Sequence, residues 1–124
     1  MTIAEVSRKY DITIDTLRYY ERIGLLPPVA RDKSGFRDFC EVDCNWVEFI
    51  KCMRSASVSI EALTEYVSLF QEGDSSHAAR KALLKEQLSE LDKHIAEMQA
   101  GRERLAWKIA HYEDKMKETE KKLL

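Results

Sequence analysis

Between Leu84 and Leu123 the chain repeats a residue at alternating four- and three-residue steps: Leu84, Leu88, Leu91, Ile95, Met98, Arg102, Leu105, Ile109, Tyr112, Met116, Thr119 and Leu123. Lys, Glu, Asp and Gln dominate the positions between them. This spacing keeps one stripe on one side of a helix, and over so many heptads it predicts a coiled coil. A lone helix would leave the stripe in water, so the segment is expected to pair with its own copy. Two positions, Arg102 and Thr119, break the apolar line, and Gly101 weakens the helix by ~1 kcal/mol relative to Ala. If two copies run antiparallel and cross near Ala100, the layers are Leu84 with Met116, Leu88 with Tyr112, Leu91 with Ile109, Ile95 with Leu105, and Met98 with Arg102 of the second copy. A polar residue beside the dyad would then select that alignment. The heptads alone do not separate antiparallel from parallel.

With 124 residues in all, one compact domain over 1–73 and one extended helix over 74–124 account for the length. No apolar run approaches the ~20 residues that span a bilayer. Met1-Thr2-Ile3-Ala4-Glu5 carries no basic region leading into an apolar stretch, so no secretory signal is read. The cytoplasm is the expected location, with Cys40, Cys44 and Cys52 as free thiols. A net charge of −2 and pI near 5.9 do not show the basic footprint usual for nucleic-acid binding. Residues 1–40 hold seven Lys/Arg against six Asp/Glu, whereas 41–73 hold two against six. The acid sits in the middle, so any DNA contact must rely on the placement of individual cations.

Ile3, Val6, Tyr10 and then Leu17, Tyr20 and Ile23 recur at helical steps and predict two short helices. Asp11-Ile12-Thr13 separates them. Thr13 suits an N-cap, Asp15 complements the helix dipole, Gly24 suits a C-cap, and Pro27-Pro28 forbid continuation. Two helices joined by so short a turn form a helix-turn-helix, whose second helix enters the major groove. A small helical hairpin of no special function fits the same pattern. Next, Val29-Ala30-Arg31 and Phe36-Arg37-Asp38-Phe39 flank the turn Asp32-Lys33-Ser34-Gly35, predicting a two-stranded wing. Arg31, Lys33 and Arg37 are placed there to meet phosphates. From Glu41 to Gly73 a second helix pair is expected. Trp46, Phe49, Ile50 and Met53 form one apolar stripe, and Ile60, Leu63, Val67 and Phe70 form the other, both expected as core. Ser59 is the expected cap of the latter helix.

The string Thr16-Leu17-Arg18-Tyr19-Tyr20-Glu21-Arg22-Ile23-Gly24-Leu25-Leu26-Pro27, with Ile3-Ala4-Glu5-Val6 before it, closely resembles the head of the mercury-resistance-regulator (MerR) family. Gly35-Phe36-Arg37-Asp38-Phe39 resembles that family's wing, and Ser59-Ile60-Glu61 the start of its fourth helix. The resemblance implies a mainly α chain: a winged helix-turn-helix head, a second helix pair and a long dimerisation helix. By the same resemblance the recognition helix is 13–23, Thr16, Arg18, Tyr19 and Tyr20 face DNA, and Arg37 is the wing contact. Phe39 replaces the usual Tyr and lacks its hydroxyl, so packing is expected there. Family members are two-fold dimers on operators between promoter elements spaced too far apart for RNA polymerase. They activate by bending and untwisting that spacer. Double-stranded operator DNA, a second copy and the polymerase are thus the implied partners, with no membrane and no cofactor.

Residues 74–124 contain no cysteine, and the family's metal sensors carry theirs near or beyond that helix, so no metal site is expected. Cys52, in Phe49-Ile50-Lys51-Cys52-Met53-Arg54, resembles the single cysteine of the aldehyde- and electrophile-responsive branch. Lys51 and Arg54 beside it favour a thiolate, and adding a group at a packed position would repack its neighbours. A small buried hydrophobe is the alternative reading of that residue. Cys40, at the N-cap of its helix, is the second candidate sensor. An enzyme is not expected, because His77, His94 and His111 fall on the long helix or its approach, away from any pocket. A constitutive repressor or structural DNA-binding protein with no inducer is the alternative function.

Overall fold

The computed structural model describes residues 1–124, and its local structure begins with a capping box. The Thr2 hydroxyl accepts the Glu5 amide at 3.1 Å while the Glu5 carboxylate accepts the Thr2 amide at 3.1 Å, which starts α1 (Ile3–Tyr10). Asp11, at φ 53°, ends it in the left-handed region that Asp tolerates. Thr13 then caps α2 (Ile14–Arg22), accepting the Thr16 amide at 3.2 Å, as its position predicted. At the other end the Leu25 and Gly24 amides turn back onto the Tyr20 and Glu21 carbonyls, at 2.9 and 3.2 Å. Gly24, at φ +82°, makes that reversal without a Cβ clash.

The wing is smaller than the sequence predicts. In place of two strands there is one antiparallel bridge, Arg31 to Arg37. Inside it, the Asp32 carboxylate accepts the Ser34 and Phe36 amides at 2.9 and 3.0 Å, and Gly35 adopts φ +86°. Outside it, the ladder runs out of partners. The Asp38 amide reaches the Ala30 carbonyl at 2.8 Å, but the next donors are taken elsewhere. Val29 donates to the Glu21 carboxylate at 2.7 Å and Phe39 to the Met1 carbonyl at 2.8 Å. Both ends of the hairpin are thereby drawn into the head.

Helices α3 (Glu41–Ser55) and α4 (Ile60–Gln71) close the core, with Ser59 capping α4 through a 3.1 Å bond from the Ala62 amide. Val6, Leu17, Leu25, Leu26, Val47, Ile50, Leu63 and Val67 are essentially inaccessible. Phe39 is buried too, which fits packing in place of a phosphate contact. On α3 the row facing the core is Cys44, Val47 and Ile50, whereas Trp46, Phe49 and Met53 lie only at its margin. Phe70, expected in the core, is 46% exposed. The helix offers two adjacent apolar rows, and the one with smaller side chains fits against α1. The aromatic row packs on itself: Trp46 meets Phe70 and Phe49 edge to face at 5.0 and 5.7 Å, and Phe49 lies 5.3 Å from Tyr66.

A short 3₁₀ turn, Asp74–Ser76, leads into α5 (His77–Ala110). The compact head extends to Gln87, past the 73/74 boundary expected from the sequence. Leu83 packs on its core, and the Gln87 side chain accepts the Ser59 amide at 3.2 Å. The second unit is Leu88–Leu124. Within it Leu88, Ile95, Met98, Leu105 and Ile109 are between 57% and 76% exposed, so one copy leaves its stripe uncovered.

The expected unbroken seam to Leu123 does not hold. Residues Tyr112–Met116 form a π-helical turn before α6 (Lys117–Lys121), with the Met116 amide reaching back five residues to the His111 carbonyl at 3.3 Å. One extra residue rotates everything beyond it by about 100°. Met116, Thr119 and Leu123 therefore leave the line of Leu105 and Ile109, and the expected layer of Leu84 with Met116 is lost. His111 anchors the irregularity. Its amide and ring Nδ1 both lie on the Trp107 carbonyl, at 3.0 and 2.9 Å, and its ring stacks on the indole at 4.1 Å. No helix is long and apolar enough to cross a membrane.

Candidate nucleic-acid interface

Leu17 turns inward from α2, so residues on the opposite side of that helix are left to solvent. Arg18 is exposed, with Asp15 3.8 Å away, and Tyr19 is 39% exposed under the Arg22 guanidinium at 5.3 Å. The Thr13 hydroxyl donates to the Thr16 hydroxyl at 2.7 Å while accepting the Thr16 amide. Thr13 is thus occupied as a cap, whereas the Thr16 hydroxyl hydrogen stays free to donate. Tyr20, expected to face DNA, instead packs its ring partly against the core.

The wing places its cations differently from one another. Arg31 folds back, donating from Nη1 to the Gly35 carbonyl at 2.9 Å. Lys33 is exposed at the tip. Arg37 is mostly covered and donates from Nε to the Glu21 carboxylate at 2.6 Å. Arg18, Arg31 and Arg37 nevertheless line one cleft of about 390 Å³, together with Asp32 of the wing and with Thr2, Ile3 and Ala4 at the start of α1. Three arginines against one carboxylate, Asp32, line this concavity, a balance of charge that suits phosphate oxygens.

Glu21, which the sequence does not single out, joins α2 to both arms of the wing. Its signal was present: it follows Leu17 by four residues, so a carboxylate stands on the inward row of α2 and needs a partner. Burial pushes its carboxyl up, but the Val29 amide, the Arg37 bond and the charges of Arg37 and Arg31 outweigh that. The net result lies below the usual carboxylate range, so the pair stabilises the fold above that range. Its contribution is lost only as pH falls through the depressed value.

The thiols are also separated by the fold. Cys40 is exposed at the N-cap of α3, Cys44 is buried with its Sγ 3.9 Å from the Met1 sulfur, and Cys52 is exposed. Cys52 is therefore not the packed position assumed from the sequence, and a group added there meets solvent. Arg54 is turned away to the Val58 carbonyl at 2.8 Å.

A capped second helix after a short turn, followed by a tethered hairpin bearing cations, defines a winged helix-turn-helix DNA-binding protein. The model for the MerR family regulatory protein matches residues 2–39, and the model for MerR, DNA binding matches residues 45–108. The chain belongs to the MerR family. It is 55% identical over 91 residues to the HTH-type transcriptional regulator AdhR of Bacillus subtilis (strain 168), spanning 73% of this chain and 65% of that regulator. A MerR family regulator from Listeria monocytogenes superimposes with TM-score 0.81 at 44% identity, covering 99% of this chain and 93% of that one. HiNmlR, a MerR family regulator lacking the sensor domain and solved bound to promoter DNA, matches with TM-score 0.76 at 30% identity, covering 90% and 89%.

Proposed function

We propose that this chain is a non-enzymatic, cytoplasmic transcription regulator that binds operator DNA as a homodimer and activates a promoter by distorting its overlong spacer for RNA polymerase. The convergence of Arg18, Arg31 and Arg37 on one cleft beside the capped α2 carries this reading. The uncovered stripe from Leu88 to Ile109 supports the homodimer, and the promoter-bound state of HiNmlR supports the ligand. Arg18→Ala is expected to weaken operator binding across sequences and to lower the slope of log K against log salt by roughly one. Mobility shifts at several salt concentrations check this. Unchanged binding at every salt concentration would remove Arg18 from the interface.

The same reading makes Cys52 the switch: its sulfur adds to an electrophilic carbon, the S–C bond forming as that carbon's π bond opens, and the thiol proton ends on the carbonyl or quinone oxygen. Exposure of Cys52 supports access by the reagent. Because the site is not packed, the added group acts through what it touches outside the core. In transcription from the native promoter with formaldehyde, methylglyoxal or a quinone, the wild type is expected to respond and Cys52→Ser to stay at its basal level. A full response from Cys52→Ser moves the sensor to Cys40 or removes thiol sensing. A promoter repressed identically with and without reagent favours the constitutive repressor.

A further inference from the structure

Glu21 touches three parts of the interface at once. It stands on α2, its Oε2 accepts the amide of Val29 at the entry to the wing (2.7 Å), and its Oε1 accepts Nε of Arg37 on the returning arm (2.6 Å). Both side chains are mostly covered, at 16% exposure for Glu21 and 19% for Arg37. One bridge joins the wing's arms. Its only other hydrogen-bonded tie to the head is at Met1, whose carbonyl accepts the Phe39 amide at 2.8 Å and whose amino group reaches the Phe39 carbonyl at 2.7 Å and the Asp38 carboxylate at 3.4 Å. Arg37 spends its Nε–H on Glu21, and its terminal N–H groups remain for an anion in the cleft it shares with Arg18 and Arg31.

We propose that Glu21 is a positioning residue for DNA, fixing the wing's Arg37 against the recognition helix so that both engage neighbouring phosphates as one rigid piece. The inference rests on the DNA-binding reading above. It makes a prediction opposite in sign to simple electrostatics. A carboxylate beside a phosphate-binding cleft repels DNA, so deleting its charge alone should tighten binding. If Glu21 acts through Arg37, neutralising it weakens binding, because the guanidinium loses its fixed aim and the wing its tether.

The test uses the full chain and a duplex enriched by the wild type from a random-sequence pool. Glu21→Gln is expected to raise Kd roughly tenfold or more and to reduce the salt slope by about one. Glu21→Asp keeps the charge but is too short to reach both partners. It is expected to weaken binding as well, and it decides the matter if Glu21→Gln does not fold, as judged by circular dichroism. In an Arg37→Ala background, Glu21→Gln should add less than about a twofold change, because the residue it aims is gone. Binding by folded Glu21→Gln that equals or exceeds wild type, or an undiminished effect in the Arg37→Ala background, overturns the positioning role while leaving DNA binding intact. A pool that yields no enriched duplex overturns the DNA-binding reading itself, and this inference with it.

Discussion

Ending the chain after Gln87 is expected to leave a folded monomer whose operator affinity falls by roughly a hundredfold or more. The cut keeps Leu83 in the core and the Gln87 side chain on the Ser59 amide, so the head retains its own contacts. It removes Leu88, Ile95, Met98, Leu105 and Ile109, the large apolar residues that one copy leaves in water. On the proposed reading, two tethered heads meet two half-sites at a high effective concentration, and separate heads lose that advantage. Sedimentation should show one copy where the full chain shows two, and mobility shifts should show the weaker complex. A stable dimer from residues 1–87 would place the pairing surface on the head instead.

The second large effect is in the core. Leu63→Ala is expected to destabilise the head by about 2–5 kcal/mol, since Leu63 on α4 is fully buried in the core of the head. Against a total stability of roughly 5–15 kcal/mol, this unfolds a substantial fraction of molecules near physiological temperature. Phe70→Ala, at the 46% exposed end of the same apolar stripe, should cost clearly less. Thermal melts of the full chain followed by circular dichroism at 222 nm, read with the 1–87 fragment, check the difference. A Leu63→Ala loss no greater than that of Phe70→Ala would mean that the core is drawn wrongly.

Features set by neighbours in sequence were legible from it. Thr13, Ser59 and Gly24 sit where caps were expected because a cap needs only the residue and the amides one turn away. Long-range competition was not legible. The wing falls short of two strands because the Val29 and Phe39 amides find partners outside the hairpin, at Glu21 and Met1. Tyr20 and the Trp46 row show a related limit. A period of 3.6 identifies an apolar face but not which of two adjacent rows the fold selects, and Cys44 and Val47 were selected. At the candidate site the arginines were readable as cations near a groove. The place of Arg37 among them is fixed by Glu21, whose two partners lie eight and sixteen residues away.

The π turn at Tyr112–Met116 carries a consequence for how many copies can assemble. Had the apolar line kept its phase to Leu123, it would overhang an antiparallel partner and offer an adhesive end to a third chain. With one residue inserted, the positions that inherit the line after Tyr112 are Lys117, Glu120 and Leu124, two of them charged. In the register where Leu88 meets Tyr112 of the second copy, both ends of the usable stripe coincide: it starts where the head stops and finishes where the helix widens. On the homodimer reading, a turn that ends the stripe is expected to close the assembly rather than let it grow into an open filament.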